Sequence, residues 1–253
     1  MRENDKVKEY IPRDKMGRKT KISVALCMAA VPLIIYAGVT YLESRSNIFI
    51  GLMIIVAAMI PFFTAVEERN PPARELILIA VMSAIAVIGR MAFFMIPQFK
   101  PMTAIVIITG ISLGAQAGLL TGVTAAFVSN FFFGQGPWTP WQMFCLGIIG
   151  FLSGIIFYKK VPVEKRDKKW RRKRKIYLCI YGALATLFIY GIIMDLSGLL
   201  SFQSNPTKHM ILAVLASGVP FNIIHALSTV IFLFILAEPF EKKLDRIQKK
   251  FGI

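Results

Sequence analysis

Apolar residues in this chain run in blocks: Ile22–Leu42, Ile48–Val66, Leu76–Ile96, Met102–Phe133, Trp141–Tyr158, Ile176–Leu200 and Met210–Ala237. Most are about the ~20 residues that a helix needs to cross a hydrocarbon core. The block Met102–Phe133 is too long for one span and somewhat short for two, and "GAQAG" punctuates it at Gly114–Gly118. It predicts two shortish helices joined by a tight turn, so the chain should have eight spans. Pro71 and Pro72 in "EERNPPAR" remove helix donors and end the first pair of spans. The expected fold is an all-α polytopic membrane protein: a basic tail (1–21), a transmembrane hairpin (22–71), a six-helix core (72–239) and a second basic tail (240–253).

Composition agrees with that reading. The chain is 56% hydrophobic with 17% charged residues, where a soluble domain has roughly 25%. Its net charge of +16 could suggest nucleic acid, but 26 of the 30 Lys and Arg fall in four segments: 1–21, 67–75, 159–175 and 237–253. With eight spans these segments share one side, and the poor connections with Arg45, Lys100 and Lys208 share the other. That is the positive-inside pattern with both termini cytoplasmic. The loop "KKVPVEKRDKKWRRKRK" then reads as a lipid-adjacent anchor for anionic headgroups, and no nucleic-acid partner is expected. The longest hydrophilic segments are tails and this loop, so no ATPase fits, and no Walker-type motif is present. Cys27, Cys145 and Cys179 lie inside apolar blocks without metal spacing, so neither a disulfide framework nor a metal site is indicated.

Polar groups at membrane depth cost free energy unless paired. Arg90 and Asp195 both fall near the non-cytoplasmic ends of their spans. They could pair with each other, or face an outward-open cavity and touch a polar substrate. Asn130 closes the fifth span, and Asn222 and His225 share a face of the eighth, just after Pro220. These two read as a local network or as a polar patch in a cavity. Small residues at four-residue spacing, among them Ala80 with Ala84, Gly110 with Gly114 and Gly118 with Gly122, permit close helix approach. They serve core packing or a docking face.

The stretch "SNFFFGQGPWTPWQM" joins the fifth and sixth spans. An aromatic belt explains Trp138 and Trp141. It does not explain Gly134, Gln135, Gly136, Pro137, Thr139 and Pro140, whose backbone demands imply one fixed loop shape. Such a loop has the composition of a wall or lid over an amphiphilic ligand.

From Pro72 to about Pro239 the chain resembles the substrate-binding S component of energy-coupling factor (ECF) vitamin importers. The resemblance rests on Ala80-x-x-x-Ala84, "GRMAFFMIPQFKPMTAIVIITGISLGAQAG" and "SNFFFGQGPWTPWQM". It implies capture of a micronutrient in an outward-facing pocket, association with a transmembrane coupling protein (T component) and two cytoplasmic ATPases, and residence in a prokaryotic cytoplasmic membrane. Carried onto this chain, Ala80 and Ala84 look like the coupling-protein contact. Arg90, Lys100, Asn130, Gln135, Trp138, Trp141 and Asp195 look like pocket residues. The two N-terminal spans depart from the usual six-helix plan. Members resembling this chain are associated with cobalamin or related corrinoids, and riboflavin or another vitamin would suit the same wall nearly as well. The rivals are a stand-alone secondary transporter, which should carry more mid-membrane acidic groups, and a non-transporting scaffold. No catalytic cluster or cofactor motif is present, so an enzyme is not expected.

Overall fold

Helix α1 (Arg18–Tyr41) precedes a core of helices α2 (Ala73–Ala92), α3 (Met102–Leu113), α4 (Ala115–Phe133) and α5 (Thr139–Phe157). The chain continues through α6 (Lys168–Leu184), a π-helical segment (Ala185–Gly191), α7 (Ile192–Phe202) and α8 (Lys208–Phe251). This computed structural model describes residues 18–41, 73–158, 167–203 and 206–251, with Met53, Ala57, Ile60 and Thr64. The expected second span at Ile48–Val66 lies largely outside the described residues, as do the break at Pro71–Pro72, the first part of the basic loop and most of the N-terminal tail. α1 is tied to Thr64 by a 2.6 Å hydrogen bond between the Ser23 and Thr64 hydroxyls.

Among the described residues, five helical stretches are long and apolar enough to cross a membrane, and α3 is a shorter apolar helix. The protein is thus an all-α bundle of the polytopic membrane type. Five long helices fall below the eight expected spans. The three expected spans outside those five are α1, α3 at only 12 residues, and the second span, which is not described.

The break inside Met102–Phe133 falls at a single residue. Gly114 adopts φ 101°, a left-handed conformation that side chains other than glycine rarely tolerate, and its N–H bonds Gly110 O at 3.0 Å. α4 starts at the next residue. Every residue of α3 is buried, making it the central rod of the bundle.

Around it α4 and α5 approach at backbone distance. A Cβ at Gly118 would meet the carbonyl of Gly150, one at Gly150 would meet the carbonyl of Gly118, and one at Gly122 would meet Leu146. Apolar lipid supplies little drive for helices to associate, so such close van der Waals packing holds the bundle together. These glycines therefore serve the interior. Ala80 and Ala84 instead lie on an exposed face of α2 beside Ile77, Val81 and Ile88.

α8 runs 44 residues, with Pro220 and Pro239 inside it. At its C-terminal half Arg174 bonds Glu241 and Arg171 bonds Glu238 at 3.0 Å, clamping α6 to α8, while Lys242 bonds Glu238 at 2.9 Å within α8. Arg74 reaches Phe251 O at 2.9 Å. This is the basic end of the bundle. The opposite, distal end gathers the C-termini of α2 and α4 and the N-termini of α3 and α5.

Candidate functional site

Gly89 of α2 packs so closely on Pro101 that a Cβ there would overlap its ring. That contact sets the neighbouring residues Arg90 and Lys100 in one corner of the distal end. Ser228 of α8 fixes the Lys100 backbone twice, accepting from its N–H at 2.8 Å and donating to its carbonyl at 2.9 Å. Phe93, Phe99 and Phe232 stack beside this junction with centroids 5.1–5.8 Å apart.

Arg90 donates through Nη1 to Ser129 Oγ at 2.6 Å and to Asn130 Oδ1 at 2.8 Å, with its guanidinium 4.5 Å from the Phe133 ring centroid. Asn130, fully buried, donates in turn to Thr139 Oγ1 at 2.9 Å and Gln142 Oε1 at 2.8 Å. The Gln142 side chain also reaches the Tyr190 phenol. Tyr190 meets the His225 imidazole edge-on at 4.7 Å, and His225 Nε2 shares a 3.0 Å hydrogen bond with Thr103 Oγ1. Six helical elements and the Lys100 corner thus contribute to one polar constellation. Asn130, Tyr190 and His225 form its buried interior, and Arg90, Lys100 and Gln142 are half-buried. Burial, then the Arg90 charge, push the Lys100 ammonium down to about 8.

Asp195 stands apart from this set. Its Oδ2 accepts from Asn222 Nδ2 at 2.8 Å, and Gly218 and Gly191 leave the room for that pair. Arg90 is engaged by Ser129 and Asn130, so the ion pair between Arg90 and Asp195 considered from sequence is absent among the described residues. Asn222 lies about one turn from His225 along α8. The Asp195–Asn222 pair therefore sits on a wall made by α7 and the first half of α8.

The loop between α4 and α5 is internally braced. Gln135 donates to Phe127 O at 3.1 Å and accepts from Thr139 Oγ1 at 2.9 Å, while Gly136 N–H bonds Thr139 Oγ1 at 3.2 Å. The Trp138 ring covers Gly136 and stays partly exposed, whereas Trp141 is buried in the core. The structure thus unites Arg90, Lys100 and Asn130, connects Gln135 through Thr139, sets Trp138 at the rim, buries Trp141 and separates Asp195.

Thr103, Ser129, Gln142, Tyr190 and Ser228 were missed as site residues. Gln142 lies in the "PWQM" end of the loop stretch, which is the signal available for it, whereas Tyr190 shares its apolar block with Tyr177 and Tyr181 and nothing in the sequence sets it apart. A cavity of about 280 Å³ that shares no residue with this constellation lies between α1 and Ala57 and Ile60, and is lined mostly by apolar side chains. Among the described residues no group of three or more His, Cys, Asp or Glu could hold a metal.

The fold is of the polytopic membrane class, a helical bundle with a polar, partly accessible constellation at one end. Residues 74–237 match the family described as ECF transporter, substrate-specific component, and the chain belongs to it. The family's members are non-catalytic transport subunits that partner with a T component and ATPase subunits. The chain is 27% identical over 162 residues to a UPF0397 protein of Aliivibrio fischeri, covering 61% of this chain and 86% of that protein. It is also 31% identical over 108 residues to a UPF0397 protein of Aliivibrio salmonicida, covering 40% of this chain and 58% of that protein. No solved structure matches.

Proposed function

We propose that this chain captures a vitamin or related micronutrient at the outer face of a prokaryotic cytoplasmic membrane and delivers it to an ATP-driven ECF complex. The observation that carries the reading is the distal constellation of Arg90, Lys100, Asn130 and Gln142 within a chain of this family. Half-buried Arg90 and Lys100 offer donors to a bound molecule, and Asn130 holds Arg90 in place. Gln135, Trp138 and Asp195 border the entrance, with Trp141 supporting it from within. The exposed Ala80–Ala84 face of α2 is the docking surface for the T component. Charge bias supports eight spans with both termini cytoplasmic and the basic segments against anionic lipid.

Cobalamin or a related corrinoid is the first cargo to test. The experiment is extraction of the complex from native membrane, followed by mass spectrometry of the released small molecules and identification of the co-purifying subunits. Recovery of one vitamin with a T component and two ATPases is expected. A chain that binds no micronutrient, alone or in the complex, overturns the reading.

A further inference from the structure

The two ends of the bundle treat their cations differently. At the basic end Arg171, Arg174 and Lys242 all bond Glu238 or Glu241. At the distal end Arg90 and Lys100 share a corner, close enough for the charge of one to act on the other, and among the described residues neither meets a carboxylate. Asp195, on the separate wall of α7 and α8, is held by Asn222. The Arg90 hydrogen bonds run to neutral Ser129 and Asn130, and its Phe133 contact is with a neutral ring. Two half-buried like charges without a counter-charge cost folding free energy. A bundle that holds its Lys100 backbone with two hydrogen bonds while leaving the ammonium without an acid is arranged to receive a negative charge from outside.

We propose that the molecule captured at this site carries a carboxylate or phosphate group, bound between the Lys100 ammonium and the Arg90 guanidinium. The assignment rests on the capture function proposed above and names its substrate class. Arg90 keeps a second nitrogen for the ligand beyond the Nη1 used by Ser129 and Asn130, so a planar carboxylate or a phosphate oxygen pair suits it. Lys100 supplies a point charge beside it.

The test uses the full-length chain in lipid nanodiscs. Ligand released from native complex is identified by mass spectrometry. Calorimetry is then run on matched charged and neutral probes: pantothenate and pantothenol, biotin and biotinamide, nicotinate and nicotinamide, flavin mononucleotide and riboflavin. The first three pairs report a carboxylate and the last a phosphate. The released ligand should carry one of these groups, and only charged probes should bind. Lys100→Met should weaken that binding by about tenfold or more, and Lys100→Arg should largely retain it. Because Lys100→Met removes an unpaired cation, the ligand-free variant should melt at or above the wild-type temperature, which separates lost binding from lost folding. A neutral vitamin bound equally well by wild type and Lys100→Met overturns the anion assignment while leaving the capture function intact. Absence of any released or bound micronutrient overturns both.

Discussion

Arg90 of α2 donates a 2.8 Å hydrogen bond to Asn130 of α4, and Asn130 spends its amide hydrogens on Thr139 and Gln142 of α5. One fully buried side chain therefore connects three helices and orients a cation. Its removal leaves Thr139, Gln142 and Arg90 short of partners. Asn130→Ala should lower stability by about 1–3 kcal/mol for each buried group left unpaired. It should also weaken ligand binding. Thermal melting in detergent beside calorimetry checks both, and an unchanged melt with unchanged affinity contradicts the role.

The independence of Asp195 from Arg90 can be measured. A double-mutant cycle of Arg90→Gln with Asp195→Asn should give a coupling within about 0.5 kcal/mol of zero. The cycle of Asp195→Ala with Asn222→Ala should couple measurably, because those two share a 2.8 Å bond. A large coupling in the first cycle would restore the ion pair.

Gly118 and Gly150 face each other across α4 and α5 with no room for a Cβ on either. Gly150→Ala should force the helices apart and cost about 1–3 kcal/mol or more. Size-exclusion profiles and melting in detergent report it. Gly198, with open space around its Cα, is the control: Gly198→Ala should fold normally.

The exposed α2 face yields a different signature. Ala80→Leu or Ala84→Leu should impair uptake and recovery of the T component while leaving ligand affinity and melting temperature close to wild type. Loss of binding and folding together would instead assign the pair to packing.

Affinity for an anionic probe should depend on pH through Lys100. Its folded pKa of about 8 lies below the usual lysine range, so the charged form dominates below that value and the neutral amine above it. Anion affinity should therefore hold steady below about pH 8 and fall, at most about tenfold per unit, as pH rises further. Bound anion favours the ammonium, so the inflection in the complex lies higher. Arg90, His225 and Tyr190 are the other titratable groups at this corner, with Asp195 on the adjoining wall, and Arg90 stays cationic throughout this range. Calorimetry from pH 6 to 10 on wild type and Lys100→Arg separates the contributions, since the arginine variant should lose the fall.

Much of this is legible in the sequence. Long apolar blocks dictate helices wherever backbone polar groups must be satisfied internally. The "GAQAG" stretch at Gly114–Gly118 announced a turn, and the structure confines that turn to Gly114 with φ 101°. The Gly and Pro content of residues 134–140 required a shaped loop, and Gln135 and Thr139 brace it.

Direction and partnership were not legible. Trp138 and Trp141 are equivalent in composition, yet one is on the surface and the other in the core, because helix α5 begins between them at Thr139 and turns the second inward. Tyr190 lies in a π-helical segment, where the wider turn shifts the face that a 3.6-residue period would assign. Arg90 and Asp195 attract each other on paper, but pairing is decided by which helices are neighbours at that depth, and α2 meets α4 there. By itself the sequence determined the helical class, the membrane setting, the glycine turn and the charge asymmetry, all of which follow from local composition and solvent. Only the tertiary structure decided which polar groups converge, since convergence depends on helix rotation and contact across 40 to 128 residues of chain.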